Sequence, residues 1–199
     1  SNSTVPLLGM IDIAIAGHLG SVIYIGAIAL GSKVFNMIYW NFGFLRMSSS
    51  GFASQAYGAR DLTEVMNVLA RSLAIGLGSG LLIVLLQYPI GELAFNLVQS
   101  GPESIQHLKA YFRIVIWGAP AVLCMYAFQG WFIGMQNART PMVIAILNNV
   151  LNIVLSVSFV YGFGMKIEGI ALGTVLSQTI SLLVAAGFWW KYYRRLLKY

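Results

Sequence analysis

Apolar runs of about 20 positions alternate with short polar breaks along the whole chain, and that run length is what a helix needs to cross a bilayer. Six runs are read, at 1–17, 24–57, 72–98, 111–135, 141–161 and 168–190. The first falls short of a full span and opens on Ser1-Asn2-Ser3 without a Met, so it reads as truncated, with the parent protein starting upstream. Helix punctuation marks the breaks. Asp61 and Glu64 have the spacing of a capping box, Gly101-Pro102-Glu103 prepares the fourth span, and Thr140-Pro141 reads as an N-cap followed by proline at the first helical position. The expected fold is all-α, a polytopic bundle of six membrane helices.

Composition agrees: 58% of residues are hydrophobic, 9% are charged, and the mean hydropathy is +0.77, far outside the soluble range. Twelve basic residues against six acidic ones give +6, which in a membrane chain reads as topology rather than nucleic-acid binding. Arg60, Arg71, Arg139 and the tail Lys191, Arg194, Arg195 and Lys198 fall on alternate connections, which are therefore expected to be cytoplasmic. The opposite connections carry Lys109, Arg113 and Lys166 with Glu103 and His107. A single Cys124 excludes an internal disulfide and reads as a small buried apolar residue. His18 and His107 lack ligand spacing, so no metal or other cofactor is expected. Gly76-Leu-Gly-Ser-Gly80 lacks the lysine and preceding strand of a phosphate loop and reads as close helix packing.

Within this apolar background one carboxylate stands alone. Asp12 lies in the first span with no charged neighbour, and a charge at such a position faces a cavity, an ion path or a proton relay by default. Helical rise puts it about 12 Å below Gly20, near the bilayer midplane. Asn152 and Ser156, one turn apart on the fifth span, fall roughly 15 and 9 Å below Gly162, and Thr174 and Lys33 come out at similar depth. A polar layer shared by several spans is what a midplane ion or substrate site requires. An echo between Ala27-Ile-Ala-Leu-Gly-Ser32 and Gly169-Ile-Ala-Leu-Gly-Thr174 sets Asp12 opposite Val154 in register, between Asn152 and Ser156. Lys33 has two readings, pairing with Asp12 or snorkelling toward headgroups or water. Arg46 reads as the anchor of a buried interhelical network. Asn36 and Tyr39, with Phe35, Met37 and Trp40, line the second span beside the expected cavity, where aromatic faces suit organic cations. Gln129, Gln178 and Asn149 are further candidate cavity polars, with interhelical hydrogen bonding as the alternative. Trp189, Trp190, Tyr192 and Tyr193 read as interfacial anchors.

Three segments carry a family likeness. Val5-Pro-Leu-Leu-Gly-Met-Ile-Asp12 with Gly17-His-Leu-Gly20, the run NFGFLRMSSSGFASQAYGARD at 41–61, and GMQNARTPM at 134–142 resemble the first span, the second span and the fourth-to-fifth loop of multidrug and toxic compound extrusion (MATE) transporters, in their DNA-damage-inducible-like branch. The resemblance implies that residues 1–199 form the amino-terminal lobe of a twelve-span transporter whose carboxy-terminal lobe is absent. It further implies a multi-pass protein of the bacterial inner membrane that exchanges H⁺ or Na⁺ for small, often cationic and amphipathic organic compounds by alternating access. Asp12 matches the coupling carboxylate, and Asn152, Ser156 and Thr174 fall where its partners lie. Ser156 departs from relatives that carry an acid there, which tilts the expected ion from sodium toward the proton.

Burial of Asp12 raises its pKa, making proton loading reversible, and Pro6 and Gly9 are the expected hinge of the first helix. A lipid-linked-substrate flippase of the wider superfamily is the nearer alternative, calling for a more basic cavity than Lys33 and Arg46 supply. An intramembrane enzyme is the more distant one, because the chain offers no second acid at that depth and no base beside Ser48-Ser49-Ser50.

Overall fold

The computed structural model describes residues 10, 13–15, 17–18, 22–99 and 101–198. Asp12, Pro6 and Gly9 lie outside them, as does most of the expected first span. The described residues form eight α-helices that make five membrane-length spans. The second span is α1 (Val22–Trp40) and α2 (Gly43–Gly58), the third is α3 (Leu62–Leu85) and α4 (Gln87–Leu97), and the fourth is α5 (Pro102–Val115) and α6 (Ala119–Gly134). The fifth is α7 (Arg139–Val157) and the sixth α8 (Ile167–Tyr193). No strand occurs among the described residues.

Three expectations are corrected. The third and fourth spans begin at Leu62 and Pro102, not at 72 and 111, because polar first turns prolong each helix beyond its apolar stretch. Asp61 caps the third, with its side chain accepting from Glu64 N at 3.0 Å. Thr140 is not an N-cap: α7 already starts at Arg139, and the Oδ1 of Asn137 accepts from Thr140 N at 3.2 Å. Tyr193 is not simply an interfacial anchor, since its hydroxyl accepts from Asn137 Nδ2 at 3.1 Å and its ring stands edge-on to Trp131 at 4.9 Å.

The fourth span is the hub. α5 packs on α1 and α8, and α6 packs on α2, α3 and α8, while α7 joins the bundle chiefly through α8. Small residues let the backbones close. A Cβ at Gly76 would lie 2.9 Å from Leu123 O, one at Gly80 2.3 Å from Pro120 Cα, and one at Gly130 2.3 Å from Arg46 O. The glycine-rich run of α3 is thus a packing surface against α6, as its sequence suggested. Directional bonds reinforce the contacts: Ser49 Oγ donates to Ser72 Oγ at 2.6 Å, and Trp131 Nε1 donates to Val65 O at 2.9 Å.

Buried apolar residues fall into two clusters. One, with Ile28, Phe35, Leu108, Phe112, Ile116 and Ile170, occupies the end away from the basic connections. The other, with Ala53, Val65, Leu69, Trp131, Phe132 and Ile144, occupies the basic end. Between them lie Ser49, Ser72, Asn152, Ser156, Thr174, Ser177 and Ser181, each buried. The fold is therefore two apolar storeys with a polar layer at mid-height.

Candidate functional site

The densest part of that layer is the seam between α7 and α8. α8 places Thr174, Ser177, Gln178 and Ser181 at helical spacing, so four polar groups share one stripe of an otherwise apolar span. α7 answers with Asn148, Asn149, Asn152 and Ser156. Asn152, Ser156 and Ser177 are fully buried. Gly173 allows the approach, since a Cβ there would stand 2.6 Å from Ser156 Oγ and 2.9 Å from Ser156 N.

The hydrogen bonds are one-sided. Asn152 Nδ2 donates to Thr174 Oγ1 at 3.1 Å, Thr174 Oγ1 donates to Ile170 O at 3.1 Å, and Ser177 Oγ donates to Thr174 O at 2.8 Å. Ser181 Oγ donates to Asn148 Oδ1 at 3.1 Å. The buried oxygens Asn149 Oδ1, Asn152 Oδ1, Ser156 Oγ and Gln178 Oε1 have no hydrogen-bond partner among the described residues. Buried acceptors without donors are costly in an apolar surround. Several of them facing one seam form a region of negative potential that suits a cation or a proton donor.

The expected site residues are gathered only in part. Asn152, Ser156 and Thr174 come together as expected. Gln178 lies on the same helix with its amide oxygen against Gly118. Tyr39 turns inward, stacked on Phe35 at 5.8 Å, with its hydroxyl buried and unpartnered among the described residues. Lys33 and Asn36 point from the opposite, exposed face of α1, and Lys33 has no ion pair among the described residues. Ser177 and Ser181 were missed by sequence reasoning, although their spacing from Thr174 was the available signal.

The seam belongs to a helical membrane protein of transporter fold. A MATE transporter crystallised in a bent conformation superimposes with a TM-score of 0.87 at 27% identity, over 97% of this chain and 42% of that one. An inward-facing multidrug resistance MATE family transporter of the MOP superfamily gives 0.85 at 26% identity, over 95% of this chain and 42% of that one. The sequence profile of the MatE family matches residues 1–158, and the chain belongs to that family. It is 39% identical over 184 residues to DNA damage-inducible protein F of Escherichia coli (strain K12), covering 92% of this chain and 40% of that protein. Multidrug export protein MepA of Staphylococcus saprophyticus is 24% identical over 89% of this chain and 39% of its own length. The chain thus spans about two fifths of the relatives it matches, and it is a multi-pass membrane protein of a transporter family.

Proposed function

We propose that this chain is the amino-terminal lobe of a cation-coupled efflux transporter, exporting small organic and often cationic amphipathic compounds by alternating access. The observation that carries the reading is the α7–α8 seam, where Asn152 Oδ1 and Ser156 Oγ are buried without partners beside Thr174. Asp12 supplies the single carboxylate of this lobe's midplane, and Asn152, Ser156 and Thr174 are the polar groups that receive its proton or ion. The proton is favoured over sodium. Every described side chain of the seam is neutral, whereas a hard cation wants several oxygen ligands and net negative charge. Loading a proton on Asp12 removes the charge that keeps a cavity hydrated, and the first helix bends at Pro6 and Gly9 to close it. Substrate is released to the far side.

The test is fluorescent-cation uptake into everted vesicles containing the full-length parent, driven by an imposed proton gradient without sodium. Uptake that disappears in the Asp12→Asn variant supports the reading. Sodium-dependent uptake with no proton response would transfer the coupling to sodium, and undiminished transport by Asp12→Asn would remove Asp12 from the mechanism.

A further inference from the structure

A groove of about 140 Å³ opens between α4 and α5, at the end of the bundle away from the basic connections. Its volume is about ten times what one water needs, enough for a group of about ten heavy atoms. Glu92 on α4 faces Lys109 and Arg113 on α5, with Tyr88 and Phe95 beside them and Phe112 as the floor. None of the three charges forms an ion pair among the described residues. Lys109 is instead held over the Phe95 ring, with Nζ 5.6 Å from the centroid, which orients the ammonium without satisfying its donors.

The depth of the groove identifies its surroundings. The fourth span runs 33 residues from Pro102 to Gly134, about 50 Å of helix against a hydrocarbon core of about 30 Å. Counting about 20 residues back from Gly134 reaches Val115, so Lys109 and Arg113 stand just beyond the apolar slab, in the headgroup layer. Trp117, one turn below Arg113 and exposed, sits where an interfacial aromatic belongs. Leu93 and Leu97 are exposed on α4, an apolar border on which acyl chains can lie. α4 itself packs chiefly on α5 and α3 and leaves this side open.

We infer that the α4–α5 groove binds the headgroup of an aminophospholipid in the leaflet opposite the basic connections. Arg113 and Lys109 take the phosphodiester by charge-assisted hydrogen bonds, and Glu92 takes the primary ammonium. The charge pattern distinguishes headgroups. Phosphatidylglycerol satisfies the two cations and leaves Glu92 facing an anion. Phosphatidylcholine offers Glu92 no N–H. Phosphatidylethanolamine satisfies all three. The floor residue Phe112 stacks on Phe35 of α1 at 5.3 Å, and Phe35 stacks on Tyr39, so an occupied groove buttresses the helix that borders the expected cavity.

The experiment is native mass spectrometry of the delipidated full-length protein, titrated separately with phosphatidylethanolamine, phosphatidylglycerol, phosphatidylcholine and inorganic phosphate. One phosphatidylethanolamine is expected to bind in preference to the other lipids. The Lys109→Gln/Arg113→Gln double variant should weaken it about tenfold, the weight of one charge-assisted contact. Glu92→Gln should abolish the preference over phosphatidylglycerol while leaving phosphatidylglycerol binding no weaker. Equal affinity for all three lipids, no effect of the double variant, or full displacement by millimolar phosphate would each overturn the proposal. Photoactivatable phosphatidylethanolamine provides a check on the unaltered protein. Adducts are expected within 87–113, and adducts found only elsewhere would refute the site.

Discussion

Replacing Gly173 by alanine tests whether the seam is held by backbone contact. The new Cβ would lie 2.6 Å from Ser156 Oγ, 2.9 Å from Ser156 N and 3.0 Å from Ser156 Cα. The hydroxyl can rotate away, but the two backbone atoms cannot, so α7 and α8 must part by about half an ångström to restore ordinary contact. Overpacking of this kind costs about 1–3 kcal/mol, and contact with rigid backbone places it near the upper value. Alanine gives back roughly 0.5–1 kcal/mol of helix propensity. The net is a loss of about 2 kcal/mol, or roughly 4–8 °C of Tm for a domain of this size. The parting also stretches the 3.1 Å Asn152–Thr174 bond toward the distance at which it fails.

Gly187 is the internal control. It lies on the same helix with nothing within 4 Å of a built Cβ, so Gly187→Ala should hold or slightly raise the midpoint. Cys124 is the chain's sole thiol and is buried, which makes a thiol-reactive dye in a thermal ramp a direct reporter of unfolding. Adding Ser156→Gly should recover only part of the loss, because Ser156 N and Cα remain. Equal midpoints for the Gly173 and Gly187 variants would refute the close-contact argument.

Thr174→Val keeps the side-chain shape but leaves Asn152 Nδ2 without its acceptor, at about 1–3 kcal/mol, and the same dye assay should show the fall. Trp131→Phe deletes the donor to Val65 O and should cost about 1–2 kcal/mol, with protection lost at the start of α3 in amide exchange. Asp61→Ala removes the α3 cap for about 1 kcal/mol, and a loss confined to the first turn of α3 in the same exchange experiment would identify the cap as its cause.

The spans and their order were legible because a bilayer demands uninterrupted apolar helix, and no competing structure satisfies that pattern. Helix starts were less legible. Leu62 and Pro102 begin helices whose first turns are polar, and hydropathy measures the hydrocarbon slab rather than the helix that projects from it. At the site, depth arithmetic brought Asn152, Ser156 and Thr174 together, since rise per residue is fixed by backbone geometry. Rotation about the helix axis is not fixed in that way. Tyr39 and Asn36 are neighbours in sequence and in depth, yet the first is buried against Phe35 and the second is exposed, a difference decided by where α5 lies. Thr140 was misread as a cap because Asn137, three residues earlier, is the better-placed acceptor.

The polar layer between the two storeys also has an electrical meaning. Asn152 lies ten residues from Gly162 and thirteen from Arg139, about 15 and 20 Å of helix, which is close to the electrical middle of the bilayer. With the field falling evenly, a monovalent cation that reaches this depth from either face has crossed about half the membrane voltage, worth about 1.1 kcal/mol at 100 mV. That is roughly a sevenfold change in occupancy. Any charge admitted to the layer is therefore weighted by the resting potential before a helix moves, and a shift in that potential alone changes how often the layer is filled.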